Sequence, residues 1–193
     1  MLRRNGITSF ALKASLAALA LAAAATSHAE PGINDKEIVW GNSSPLSGPN
    51  AGYGPIGRAQ RACFQYINDE LGGIKMGDGK TRKVKYIMYD DAMEPARALQ
   101  NARRLISQDG VFGVSGNAGT GANLGARTFY NSEKVPQVFI FSGGPMFGVK
   151  EEVEKYPYTI PALLAYNTEA ALYAAFIKEK FPNAKIALLN DDS

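Results

Sequence analysis

Histidine and cysteine are almost missing from this chain: its 193 residues contain one of each. The histidine, His28, falls inside an N-terminal stretch that reads as a leader rather than as part of a fold. "MLRRNG" is a basic start, Ala14 to Ala25 is a small and apolar run broken only by Ser15, and Ser27 and Ala29 flank His28 as a small-x-small cleavage site. This is the pattern of a secretory signal peptide over residues 1–29, and its apolar core is too short to anchor in a bilayer. A chain beginning near Glu30 therefore has no histidine, which excludes Ser-His-Asp and Cys-His catalysis, a histidine general base and histidine-ligated zinc. One cysteine, Cys63, cannot form an internal disulfide. Its helical spacing among apolar neighbours points to a small core residue. An exported protein without disulfides suits a bacterial periplasm.

Charge of one sign is lacking too. The formal net charge is +3, but the leader carries Arg3, Arg4 and Lys13 and no acid. Without it the basic residues match the 18 acidic ones. No Lys/Arg run remains to grip nucleic acid, so no nucleic-acid partner is expected. Nor does a later run approach the roughly 18 apolar residues of a membrane helix.

What is present is an alternation of element types. Strands are predicted at 37–41 ("EIVWG"), 83–89 ("KVKYIMY"), 111–114 ("VFGV"), 137–141 ("QVFIF") and 185–191 ("KIALLND"), with a further extended segment at 156–160. Between them, helices are predicted at 55–71, with Ala59, Cys63, Phe64 and Ile67 on its inner face; from Pro95 to Asp109-Gly110, with a stripe of Ala98, Leu99, Ala102, Leu105 and Ile106; at 120–131; and at 168–181. "GGIKMGDGKTR" (72–82) reads as a glycine-rich turn region. Apolar strands alternating with helices imply an α/β fold whose parallel sheet is doubly wound and covered on both faces. The last residues, "NDDS", stand where a loop and helix would follow a strand, so the chain is expected to be part of a longer protein.

In an open α/β sheet, ligands bind beyond the carboxyl ends of the strands. Four segments lie there: "SPLSGPNAGYG" (44–54), Asp90-Asp91, "SGNAGTGANLG" (115–125) and "SGGPMF" (142–147). The glycine-rich 115–125 segment admits three readings. It could cradle a dinucleotide pyrophosphate at Gly116–Gly121, although it follows the third strand and no Tyr-x-x-x-Lys follows it. It could be a tight turn with nothing bound. Or free N–H groups at the start of the next helix, with the Thr120 hydroxyl, could hold a small carboxylate. Ser142 and the Gly143-Gly144 backbone would complete that shell, and Tyr53, alone among small residues, would wall the rest of the ligand. Adjacent Asp90 and Asp91 leave a strand in opposite directions and are assigned to turn or capping hydrogen bonds, with no chemistry.

"PLSGPNAGYG", "YINDELGGIKMG", "YDDAMEPARALQNARRLI", "FGVSGNAGTGANLGA", "VPQVFIFSGG" and "KIALLNDDS" together resemble the periplasmic solute-binding proteins of ABC importers, of the leucine/isoleucine/valine-binding type. Order and spacing agree from about residue 35 to 193. The resemblance implies a two-lobe periplasmic-binding-protein fold of doubly wound parallel sheets, with residues 30–161 as the first ligand-binding lobe and 162–193 as the start of a second. It implies no enzyme activity, no cofactor and no metal. The protein would be a periplasmic monomer that closes on a small-molecule solute and delivers it to ABC permease subunits. By matched position, Tyr53 faces the ligand's apolar part and Thr120 holds its carboxylate. Ser142, Gly144 and Met146 lie in the loop after the fourth strand that also holds the solute, and Tyr166 stands at the entry to the second-lobe helix. Two departures stand out. A cysteine pair common in branched-chain amino-acid binders falls at Met93 and Gly119, and Met146 replaces a common hydroxyl residue. Both departures weaken a specific leucine assignment, and the resemblance implies an amino acid, branched-chain or aromatic, or a related aromatic acid, amide or urea-like solute, with its identity open. The rival readings are a ligand-sensing ectodomain of the same fold and a dinucleotide-dependent α/β enzyme.

Overall fold

The computed structural model describes residues 30–189, so the leader assignment lies outside the described residues. Six strands form one sheet: β1 (Glu37–Ser44), β2 (Ile74–Lys75), β3 (Thr81–Asp90), β4 (Gly113–Ser115), β5 (Gln137–Ile140) and β6 (Thr159–Pro161), in the order β2-β3-β1-β4-β5-β6. All neighbours run parallel except β2, which pairs antiparallel with β3. Five helices connect them: α1 (Gly54–Asp69), α2 (Pro95–Ser107), α3 (Thr120–Ser132), the short α4 (Lys150–Lys155) and α5 (Tyr166–Lys180). None is long and apolar enough to cross a membrane.

The core lies on one face of the sheet, under α2 and α3. Ala98, Ala102 and Leu105 of α2 meet Ala122, Ala126 and Tyr130 of α3 over Val111, Val114 and Val135. Alanine at 3–4 residue spacing lets the two helices approach each other closely, while Leu105 and Tyr130, fully buried, contribute about 2–3 kcal/mol each. The predicted α2 stripe is the observed one, with Leu99 and Ile106 partly buried at its margin.

The other face is covered only in part, against expectation. α1 packs over β1 and β3, whereas Phe139 on β5, at φ +53° beside a register shift, and Ile160 on β6 stand 62% and 49% exposed. The predicted inner face of α1 is also corrected. Cys63 is exposed and so is Ala59. The helix instead turns Gly57, Gln60, Phe64 and Asn68 toward the sheet. A Cβ on Gly57 would stand 2.7 Å from Met88 Sδ and 2.8 Å from Asn42 Oδ1, so the helix rides close to the strands. Tyr86 donates to Gln60 Oε1 at 3.0 Å, and the Asn68 amide bridges both polar groups of Val84. Phe64 and Ile67 of the predicted face are partly buried as expected, but the polar Gln60 and Asn68 share the sheet-facing side in place of Ala59 and Cys63, which hydrophobic spacing could not show.

Two further expectations fail. The turn region 72–82 contains the edge strand β2, paired through Ile74↔Arg82 and Lys75↔Thr81. The described part of the predicted strand 185–191 forms no strand. Leu188 and Leu189 there are almost wholly exposed, because no neighbouring strand among the described residues offers a ladder.

Candidate functional site

Parallel pairing sets the site. Ser43 and Ser44 of β1 lie opposite Tyr89 and Asp90 of β3, and β4 and β5 end on the other side. Four loops therefore meet at one edge of the sheet. They enclose a cleft of about 720 Å³ lined by residues that include Tyr53, Met93, Glu94, Thr120, Phe141 and Tyr166, a volume within the usual range for small-ligand pockets.

The first wall is the β1–α1 loop, which ends in a 3-10 turn at Ala51–Tyr53. Strand β1 runs three residues beyond its predicted end, so the loop starts at Pro45. The Asp90 carboxylate fastens it, accepting the amides of Leu46 at 2.8 Å and Ser47 at 3.2 Å and the Ser47 hydroxyl. Tyr53 is 48% exposed and lines the cleft with Pro49 and Asn50.

The second wall is built on strain. Ala92 and Met93 both hold left-handed backbone conformations, φ 50° and 65°, each costing of order 1–3 kcal/mol. The two aspartates hold them there: Asp90 Oδ1 accepts the Ala92 amide at 3.0 Å, and Asp91 Oδ1 accepts the Met93 amide at 2.8 Å. Their carboxylates diverge as expected, Asp91 turning to the Ser43 hydroxyl at 2.7 Å. Their ionisation diverges too. Burial pushes Asp90 up, but the Ser47 hydroxyl and the amides of Ala92, Leu46 and Ser47 outweigh it and hold its pKa at about 2. Burial dominates at Asp91 and raises its carboxyl despite the Ser43 and Met93 bonds.

Met93 then lies over Gly119. A Cβ on Gly119, which sits at φ +92°, would stand 2.7 Å from Met93 Cγ. The two positions that the resemblance pairs as cysteines are thus in contact, joined here by a thioether side chain over a glycine. Two glycines of this loop are closely backed by protein, Gly119 by Met93 and Gly116 by the Gln60 amide, with which an added Cβ would collide. Little room is left there for a pyrophosphate, which disfavours the dinucleotide reading.

At the floor, Thr120 opens α3, whose N-terminus has no side-chain cap, so its first amides have no intrahelical acceptor. Thr120 Oγ1 lies 2.7 Å from Ser142 Oγ, which accepts the Gly144 amide at 3.1 Å. With Ser142 donating to Thr120, the Thr120 proton is free for an acceptor in the cleft. Ser142, Gly144 and Met146 do not line the cleft. Ser142 is fully buried, and a Cβ on Gly144 would meet Met146 Sδ at 2.7 Å and Thr120 Cγ2 at 3.0 Å, so these three back Thr120 from behind. Tyr166 does line the cleft, its amide donating to Gly143 O at 2.7 Å.

Sequence reasoning missed Asn50, Glu94 and Phe141 as lining residues, although all three stand in loops at strand carboxyl ends. It also missed a buried amide network. Asn42 Nδ2 donates to Ser115 O at 2.7 Å, Asn123 Nδ2 to Asn117 O at 3.0 Å and to Gly119 O at 2.7 Å, and Gln137 Nε2 to Asn123 Oδ1 at 2.9 Å. It rigidifies the glycine loop under Thr120. Among the described residues, no three His, Cys, Asp or Glu side chains gather as a metal site would need.

Comparison with known proteins gives a consistent result. Residues 37–193 match the family described as periplasmic binding protein. A leucine-, isoleucine-, valine-, threonine- and alanine-binding protein of Pseudomonas aeruginosa is 25% identical over 150 residues, covering 77% of this chain and 37% of its own length. A possible leucine/isoleucine/valine-binding protein of Rhodopirellula baltica superposes with TM-score 0.63 at 25% identity, covering 81% of this chain and 38% of that one. A solute-binding protein of an ABC transporter of Rhodopseudomonas palustris, in complex with 3,4-dihydroxybenzoic acid, has TM-score 0.60 at 21% identity over 77% of this chain and 37% of that one; at that identity the likeness is one of fold. This chain spans less than two fifths of the length of these relatives.

Proposed function

The chain belongs to the periplasmic binding protein family, and from that premise we propose that it captures a small carboxylate-bearing solute in the cleft above Thr120 and delivers it to an ABC permease. Family membership implies a periplasmic or extracytoplasmic place of work. The relatives are solute-binding proteins, which points away from an enzyme. The leader reading of residues 1–29 belongs to this proposal. So does the two-lobe reading, in which 30–161 is the first lobe, 162–193 begins the second, and hinge closure traps the solute.

The observation that carries the proposal is the uncapped start of α3, with the Thr120 hydroxyl aligned by Ser142, facing a cleft of about 720 Å³. Oriented amides and a hydroxyl at a helix N-terminus favour an anion. Tyr53, Phe141 and Tyr166 offer flat apolar surface for the rest of the solute. Amino acids and aromatic acids, the ligand classes named for the relatives, both fit that description.

The test is a thermal-shift panel on the full-length protein with leucine, phenylalanine, 4-hydroxybenzoate, a short amide and NAD. A solute at about 100 times its dissociation constant should add about 2.7 kcal/mol of stability. Thr120→Val, which keeps the shape and removes the hydroxyl, should weaken that solute by about 1.5–3 kcal/mol. A response to NAD alone, or none to any solute, refutes the proposal.

A further inference from the structure

We infer that Arg127, which does not line the cleft, is a positioning residue for solute binding: it ties the chain between β5 and β6 to α3 and thereby orients the Thr120 hydroxyl. The inference rests on the solute-binding reading and concerns how the site is held, whatever the solute. Arg127 follows Thr120 by seven positions, almost two full turns, so both lie on the same side of α3. The chain after β5 runs along that side. At its start, Ser142 Oγ lies 2.7 Å from Thr120 Oγ1. Further along, Arg127 Nη1 donates to Met146 O at 3.2 Å and Nη2 to Glu152 Oε2 on α4 at 2.6 Å. Its guanidinium also lies 3.9 Å from the centroid of the Tyr156 ring. At the far end, Asn131 accepts the Tyr158 amide and donates to Thr159 Oγ1, both at 2.9 Å.

Apolar burial does little for the middle of this segment. Phe147 is buried, but Val149 and Val153 are 42% and 44% exposed. Arg127, 8% exposed, is the charged group that joins the segment to α3. Arginine suits the task, because its planar fork reaches a carbonyl and a carboxylate together while its face lies on an aromatic ring; a lysine ammonium is a point charge. The restraint reaches the cleft through Met146 and Gly144. Met146, whose carbonyl Arg127 holds, presses its Sδ against Gly144, where an added Cβ would stand 2.7 Å from that sulfur and 3.0 Å from Thr120 Cγ2. The Gly144 amide donates to Ser142 Oγ at 3.1 Å, and that oxygen is the partner of Thr120. Freeing Arg127 therefore loosens the backing that fixes the Thr120 rotamer and its proton.

Isothermal titration of the full-length protein with L-leucine, L-phenylalanine and 4-hydroxybenzoate tests this in the parent, Arg127→Lys, Thr120→Val and the double variant. Residues of one hydrogen-bond network couple by roughly 2- to 150-fold, and with Met146 and Gly144 intervening the low end applies. Arg127→Lys should weaken whichever probe binds by about 3- to 10-fold. In the Thr120→Val background the same change should cost less than about twofold, because the hydroxyl it orients is gone. Glu152→Gln, at the more exposed partner, should act in the same direction and also lose its effect in Thr120→Val, which keeps the test open if Arg127→Lys fails to fold. Arg82→Lys is the control. Arg82 makes a comparably buried fork with Asp78 at 2.9 and 2.6 Å, at the opposite end of β3 from the cleft, so its loss should lower Tm and leave affinity unchanged. Parent affinity in both Arg127→Lys and Glu152→Gln, or an equal loss with and without the Thr120 hydroxyl, overturns the inference and leaves solute binding intact. Silence of the parent toward all three probes defeats the binding reading and the inference together.

Discussion

Gly125 and Gly121, one helical turn apart on α3, face the same residue, Pro95 at the start of α2, and the same substitution should act on them with opposite sign. At Gly125 an added Cβ would lie 2.7 Å from Pro95 O, 2.8 Å from its Cβ and 2.9 Å from its Cα. Two of these are backbone atoms at the start of a helix and cannot swing aside. For the methyl to fit, α2 and α3 must separate by roughly 0.5–1 Å, the kind of overpacking that costs about 1–3 kcal/mol. Because the colliding atoms are rigid, the upper half of that range applies. Alanine regains about 1 kcal/mol of helix propensity over glycine, which leaves Gly125→Ala destabilised by about 1–2 kcal/mol. At Gly121 the nearest atom is Pro95 Cγ at 3.6 Å, an ordinary contact. Gly121→Ala should therefore be neutral or more stable by up to about 1 kcal/mol. In a unit of this size about 1 kcal/mol moves Tm by about 2–4 °C, so thermal unfolding followed by circular dichroism separates the pair. A Gly125→Ala protein that melts at or above the parent temperature would refute the close helix contact argued here.

The Asp90 clamp and Cys63 give two more tests. Asp90→Asn should lose about 1 kcal/mol rather than the roughly 2.5 its full pKa displacement would carry, because solvent at this partly exposed carboxylate screens the bonds. Its folded pKa, about 2, lies below the ordinary 3.8, so its contribution is present above about pH 4 and is lost as pH falls toward 2. Urea denaturation across that interval should show a shallower acid loss in Asp90→Asn than in the parent, and identical slopes would contradict the clamp. Cys63 is exposed, so a thiol reagent should modify it in the native protein within a few-fold of the rate in urea. Native protection of a hundredfold or more would restore the core placement that its sequence neighbours suggested.

How much was legible depended on how local each signal was. α2 and α3 announce themselves within thirteen residues each through apolar spacing, Pro95 at one start and a glycine loop before the other. The strand–helix alternation already implied the parallel order and hence the sheet edge where a ligand would sit. Tyr53, Thr120 and Tyr166 could be singled out from their loops. α1 was only half oriented: Phe64 was placed on its inner side, but Gly57, Gln60 and Asn68 were not, because their partners Asn42, Tyr86 and Val84 lie on β1 and β3. The 185–191 run looked like a strand because it is apolar, but a strand is defined by its neighbour.

By itself, then, the sequence determined most element types, the α/β class, the loops that meet at one edge of the sheet and the lack of histidine in residues 30–193. Tertiary structure alone decided that Met93 covers Gly119, that Ser142 stands behind Thr120 instead of in the cleft, and that Asp90 ties the first loop to the second. Periodicity is a property of neighbours three or four residues apart. The contacts that shape this cleft join residues tens of positions apart, and parallel strand order brought them together.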